Sequence, residues 1–190
     1  MSRLVDDLLL LAQSQQVDFL RVEAIDLRPF ITDLWDGIAA TADRRFSCGV
    51  VPEGLLLADP DRLAQALRNL ARNAIEHTAP GRGAVELAAQ VVDGGRLRLV
   101  VEDDGPGVPV AERERVFERF HRTDAARNRD AGGAGLGLAI VRAIAVAHHG
   151  TVSAGVRAGG GGRFALDLPG FTPTPPRDAG VSAQAVPAPH

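Results

Sequence analysis

Val101-Glu102-Asp103-Asp104-Gly105-Pro106-Gly107 and Gly132-Gly133-Ala134-Gly135-Leu136-Gly137 bracket the stretch whose reading decides the fold. The first follows an apolar run (Leu97, Leu99, Val100, Val101) and reads as a strand that delivers a carboxylate into a glycine turn. The second opens Gly135 to His149, a segment apolar nearly all round, which reads as a buried helix ended by Gly150. Glycines let backbone N–H groups approach phosphate oxygens, and a helix start favours their negative charge. The two clusters together therefore read as a nucleotide site. Between them, Val108 to Ala131 carries Arg113, Arg115, Arg119, Arg122, Arg127 and Arg129 with Phe117 and Phe120, and is placed to act as a lid.

Upstream, Asp59-Pro60 starts a helix with Asp59 as its cap and Pro60 in its first turn. Leu63, Leu67, Leu70 and Ala74 form its core stripe, and Asn69 and Asn73 lie ~100° away, at the border between core and cavity. Ala79-Pro80-Gly81 stops it, and strands Ala84–Val92 and Arg96–Glu102 follow, joined at Asp93-Gly94-Gly95 as a hairpin. Before the Asp59 helix, an edge strand is expected over Val17–Ile25, then a helix from Asp26 or Leu27 to about Arg44. Phe30, Leu34 and Ile38 should face the core there, with Trp35 beside them. Phe46–Val51 and Leu55–Ala58 read as short strands around Pro52-Glu53-Gly54. Downstream, Thr151–Arg157 and Arg163–Leu168 read as strands, and residues 170–190 as a Pro- and Ala-rich disordered tail. Residues 1–16 read as a short helix with Leu4, Leu8 and Leu11 on one face that needs a partner surface. This order predicts a two-layer α/β (α+β) sandwich: a mixed, mostly antiparallel sheet with three main helices on one face.

The net charge of −3 gives no case for nucleic acid or an anionic membrane as the main partner. All 21 basic residues are Arg, which excludes a Walker A loop and any scheme built on a strand lysine. Cys48 stands alone, so neither a disulfide framework nor a four-cysteine zinc site is possible within the chain. No segment is long enough to cross a membrane, and the chain reads as soluble and cytoplasmic.

Four motifs in order resemble the ATP-binding domain of sensor histidine kinases, the GHKL superfamily with its Bergerat fold, over residues 19–168. They are the N box Asn69–Thr78, the first glycine box Val101–Gly107, the F box Val116–Arg122 and the second glycine box Gly133–Val141. Each motif alone has a plainer account, as an exposed asparagine pair, a turn, core phenylalanines or a solvated arginine face. The resemblance implies ATP and Mg²⁺ as cofactors. Asn73 would hold the metal with Asn69 beside it, Asp103 would accept from the adenine amino group, and His77 would stack on the base. Gly105 and Gly107 would admit the adenosine, and Gly133, Gly135, Leu136, Gly137 and Leu138 would hold the phosphates through their backbone. Phe117 and Phe120 would pin the lid, about residues 108–134, and Arg119 or Arg122 would neutralise the γ-phosphate.

Two positions depart from the family pattern. Glu76 stands where a basic residue usually lies near the phosphates, which leaves that role to an arginine such as Arg72 or Arg122, and Gly161-Gly162-Arg163-Phe164 lacks the usual threonine. His77, His121, His148, His149 and His190 all lie outside a phosphoacceptor setting. The final helix residues His148 and His149 read as capping or core groups. Residues 1–13 resemble the end of a dimerisation helix, so residues 1–16 are expected to be a remnant of that domain and 17–169 the catalytic domain. The implied activity is histidine phosphorylation in trans. The acceptor lies on a separate dimerisation/phosphotransfer domain, a response regulator acts downstream, and residues 1–13 mediate a homo- or heterodimer. The alternatives are a non-catalytic regulatory ATP-binding module and a serine kinase of the same fold.

Overall fold

The computed structural model describes residues 3–14, 19–121 and 134–174. Its elements in order are α1 (Arg3–Gln13), β1 (Glu23–Asp26), α2 (Leu27–Ala39), β2 (Arg45–Cys48), β3 (Gly54–Ala58), α3 (Pro60–His77), β4 (Ala84–Val92) and β5 (Arg96–Asp103). Two short 3₁₀ turns (Val110–Glu112, Arg115–Phe117) precede α4 (Gly137–Ala147), β6 (Thr151–Val156), β7 (Gly162–Leu168) and β8 (Phe171–Pro173).

Five strands form the main sheet in the order β2-β4-β5-β7-β6. Only the β2–β4 pair is parallel; the others are antiparallel. The inward side chains of β4, β5 and β7 alternate as period-two strands require: Val85, Leu87, Leu97, Leu99, Val101, Phe164, Leu166 and Leu168 are buried. The helices α2, α3 and α4 pack together with this sheet and close the core. The other face of the sheet carries paired charges. Arg98 grips Asp167 through two 2.7 Å hydrogen bonds, and Arg157 reaches both Glu86 and Glu102.

Local chemistry explains the boundaries that match expectation. The Asp59 carboxylate accepts from the Arg62 N–H at 3.0 Å and so caps α3. Gly94 and Gly95 take φ of 73° and 69°, which lets the chain reverse between β4 and β5.

In α2, Trp35 and Ile38 are buried as expected, Phe30 and Leu34 are half-buried against the same core, and Leu27 and Ile31 join them. The indole N–H of Trp35 donates to the Ser47 carbonyl at 2.9 Å, which holds that side of the helix inward. Four expectations are corrected, the first at the end of α2. The helix ends at Ala39 and not near Arg44, because Asp43, Arg44 and Arg45 bond to the α3 end and the turn after it. The strands β2 and β3 fall in different sheets, since β3 pairs with β1 and β8 in a second, three-stranded antiparallel sheet. Residues 171–173, expected in a disordered tail, form β8, with Phe171 buried over Gly54. The edge strand is also shorter than Val17–Ile25, starting at Glu23.

The α1 face is rotated as well. Leu10 and Leu11 are buried, and α1 packs on α4, while Leu4, Val5, Leu8 and Leu9 are exposed. Leu11 therefore belongs to the domain and not to an outward seam. Residues 1, 2 and 175–190 lie outside the described residues. Among the described residues, no helix is long and apolar enough to cross a membrane.

His148 ties the C-terminal end of α4 to the start of α3. Its buried ring accepts the Asp59 backbone N–H at Nε2 (2.9 Å) and donates from Nδ1 to the Ile144 carbonyl (2.8 Å), a pairing that assigns the neutral tautomer. Burial holds its pKa below the ordinary value. A lowered folded pKa means the unfolded chain takes up the proton first, so this contribution is complete above about pH 6.5 and is lost as pH falls below it. Denaturant unfolding should give a lower midpoint at pH 5.5 than at pH 7.5. His148→Gln should lower the midpoint at pH 7.5 and flatten that difference; an unchanged pH slope in the variant would contradict the assignment.

Candidate nucleotide site

The site is built where α3, the end of β5 and the start of α4 meet. Helix α3 runs along it, with Asn69 near one end and His77 near the other, separated by about 12 Å at 1.5 Å per residue. Asn69 is buried and Asn73 half-buried, because both lie beside the Leu63–Leu67–Leu70–Ala74 stripe that packs into the core.

At the His77 end, Asp103 terminates β5 with only 2% of its surface exposed. Its Oδ1 accepts the Gly105 N–H at 2.8 Å and the Gly162 N–H at 3.3 Å. Burial pushes its carboxyl pKa up, offset in part by those two donors and by nearby His77. A buried carboxylate that keeps acceptor capacity recognises a donor, such as an amino group on a planar base. Glycine is required around it. A Cβ on Gly105 would lie 2.6 Å from the His77 carbonyl oxygen, and Gly107 has φ of 73°.

Asp104, next in sequence, has a separate role. It accepts the Ala84 N–H at 2.8 Å and fastens β5 to the start of β4.

At the Asn69 end, α4 begins at Gly137, against the side chains of α3. A Cβ there would lie 2.6 Å from Arg72 Nη2 and 3.7 Å from Asn69 Oδ1. Gly135 precedes it with φ of 71°, and the Gly135 carbonyl accepts the Phe120 N–H at 3.0 Å. Leu136 is buried and Leu138 half-buried, so the amides, not the side chains, of this turn are what the helix start presents.

The F box divides in two. Phe117 is buried edge-on to Phe164, with ring centroids 6.4 Å apart, so the chain is anchored in the core at that point, while Pro109, Val110, Ala111, Glu114 and Arg115 before it are exposed. The Phe120 ring is exposed, its backbone has φ of 61°, and Arg119 is exposed beside it. The rest of the expected lid, with Arg122 and Gly133, lies outside the described residues.

Two groups of residues escaped the sequence reading. Gly161 and Gly162 wrap Asp103: Cβ atoms there would lie 2.0 Å from the Asp103 carbonyl oxygen and 2.4 Å from Asp103 Oδ2. The run Gly159–Gly162 was the available signal. Arg44 clasps the α3 end, donating to the carbonyls of Ile75 and Thr78 (3.0 Å each) and to Thr78 Oγ1 (2.9 Å). Its partners are more than 30 positions away, and no local pattern marks it.

The donor set tests whether a divalent cation fits. Among the described residues no group of three His, Cys, Asp or Glu forms a cage. Asn69 and Asn73 offer neutral oxygens only, a set suited to Mg²⁺ that arrives with phosphate ligands and keeps its waters.

Residues 58–171 match the family "Histidine kinase-, DNA gyrase B-, and HSP90-like ATPase". The probable sensor histidine kinase TcrY of Mycobacterium tuberculosis is 38% identical over 170 residues, covering 88% of this chain and 35% of that protein. The chain thus spans about a third of the curated relatives it matches. Among solved structures, full-length ShkA in complex with AMPPNP has a TM-score of 0.71 at 34% identity, covering 93% of this chain and 37% of that one. The mycobacterial sensor histidine kinase MprB has a TM-score of 0.71 at 31% identity, covering 80% of this chain and all of that one. With more than half its length matched, and the site elements in place, this chain belongs to the histidine kinase-, DNA gyrase B- and HSP90-like ATPase family.

Proposed function

We propose that this chain is the ATP-binding catalytic domain of a two-component sensor histidine kinase, transferring the γ-phosphoryl of Mg-ATP to a histidine on a separate dimerisation/phosphotransfer domain. The observation that carries it is the buried Asp103 carboxylate near His77, with Asn73 and Asn69 further back along α3 and Asn69 close to the start of α4. Asp103 reads the adenine amino group, and Gly105 and Gly107 admit the adenosine beside His77. The amides from Gly135 to Leu138 hold phosphate oxygens. Mg²⁺ would be held by Asn73 with Asn69 beside it, and supplies charge neutralisation across the phosphates. Arg119 or Arg122 adds positive charge at the γ-phosphate.

In the transfer, the bond between the γ-phosphorus and the bridging oxygen of ADP breaks as a nitrogen–phosphorus bond to the histidine forms. A base on the partner removes the ring proton. The domain contributes positioning and electrostatics. The relatives' names motivate this activity, as does the exposed Leu4, Val5, Leu8 and Leu9 face of α1, which suits a helical dimerisation partner. A response regulator downstream and a cytoplasmic site of action follow from the same reading.

The test is transfer of label from γ-labelled ATP to an isolated dimerisation/phosphotransfer domain. Acid-labile, base-stable phosphate on the partner, lost in Asn73→Ala, is the expected result. ATP binding without transfer to any acceptor domain would favour a regulatory module, and label on serine a serine kinase.

A further inference from the structure

We propose that Arg72 is a phosphate-binding residue of this site, supplying from α3 the positive charge that Glu76 cannot. The assignment rests on the nucleotide reading above and deepens it.

Residues 69, 72, 73 and 76 fall on one face of a helix, three or four positions apart. These four positions offer a polyanion two neutral amides, one carboxylate and one guanidinium, so among them Arg72 alone offsets Glu76. The guanidinium stands where an anion belongs: its Nη2 would be 2.6 Å from a Cβ on Gly137, at the first residue of α4. Only glycine lets it stand so close to the helix start, whose free amides also favour negative charge.

Glu76 completes the arrangement. Its Oε1 lies 3.8 Å from Arg72 Nε, an i,i+4 ion pair on a partly exposed surface. Such a pair is weak, so it does not compete strongly with a phosphate, but it engages the Nε edge of the guanidinium. The Nη2 edge lies at Gly137. The planar fork of a guanidinium matches two phosphate oxygens, which an ammonium group would contact only as a point charge. Arg72 and Asn69 also line a cavity of about 360 Å³ with Arg68, Gln65, Asp61 and Asp7, which leaves the side chain room to adjust.

A phosphate ligand discriminates by the number of phosphates, and a purely structural residue does not. Equilibrium titrations of the full chain with ATP, ADP and AMP in the presence of Mg²⁺ should be compared for wild type, Arg72→Gln and Arg72→Lys, alongside thermal unfolding of each. Arg72→Gln is expected to weaken ATP by about tenfold or more and AMP by less than about twofold, the loss of a charge-assisted hydrogen bond. Arg72→Lys should recover part of the ATP affinity. An unchanged preference for ATP over AMP in folded Arg72→Gln would overturn the assignment while leaving the nucleotide reading intact. A wild-type chain that binds no adenine nucleotide would overturn both.

Discussion

Asp103→Asn should abolish measurable ATP binding while leaving the protein as stable as wild type or more so. The substitution keeps an oxygen that can accept the Gly105 and Gly162 N–H groups, so the turn after β5 survives. It replaces the second oxygen with an NH₂ group, which sets donor against donor at the adenine amino group. A buried site made to accept a hydrogen bond and left unable to do so loses affinity by roughly 100-fold or more. Stability moves in the opposite direction. Burial raises the folded pKa of Asp103, so its ionisation costs stability as pH rises from the ordinary carboxylate value of about 3.9 through the folded one. A neutral amide removes that cost. Calorimetric titration with Mg-ATP and denaturant unfolding at pH 7.5, on the same preparation, would check both. Retained ATP affinity, or a collapse of stability, would show that Asp103 is a structural group.

Gly161→Ala should be the more damaging change to the fold. Its backbone has φ of 108°, and a Cβ there would lie 2.0 Å from the Asp103 carbonyl oxygen, which a backbone atom cannot yield by turning a side chain. Strain at a left-handed position costs about 1–3 kcal/mol, and displacement of β5 from the turn adds to it. Gly159→Ala is the matched control, with φ of 87° but nothing within 4 Å of its added carbon. The expected result is a fall in unfolding midpoint for Gly161→Ala that clearly exceeds that for Gly159→Ala, with ATP affinity lost only in the former. Equal effects would show that backbone strain alone, and not contact with Asp103, explains the glycine run.

These two residues mark the limit of what the sequence discloses. The features legible in advance were those with local causes: the Asp59 cap of α3, the glycine turn between β4 and β5, the alternation of β4 and β5, and the order of helices and strands. Asp103 itself was legible because it ends an apolar run and enters a glycine turn. What was not legible depends on distant partners. Leu27 and Ile31 widen the core face of α2 beyond the Phe30, Leu34 and Ile38 row, and the Trp35 bond to Ser47 holds that side of the helix inward. Phe171 has no periodic neighbours, and its burial over Gly54 requires β3 to be already in place. Leu11 reads as an exposed helical leucine until α4 is packed against it. The grip of Arg44 on the end of α3 and the wrapping of Asp103 by Gly161 and Gly162 both join segments far apart in the chain.

Amide hydrogen exchange of the full chain with and without Mg-ATP tests, without any substitution, whether the nucleotide sits between α3, the end of β5 and the start of α4. Nucleotide binding should slow exchange at 69–77, 103–107 and 135–140, and leave β6, on the far edge of the sheet, unchanged. Slowed exchange confined to other segments, or none at saturating Mg-ATP, would contradict that location.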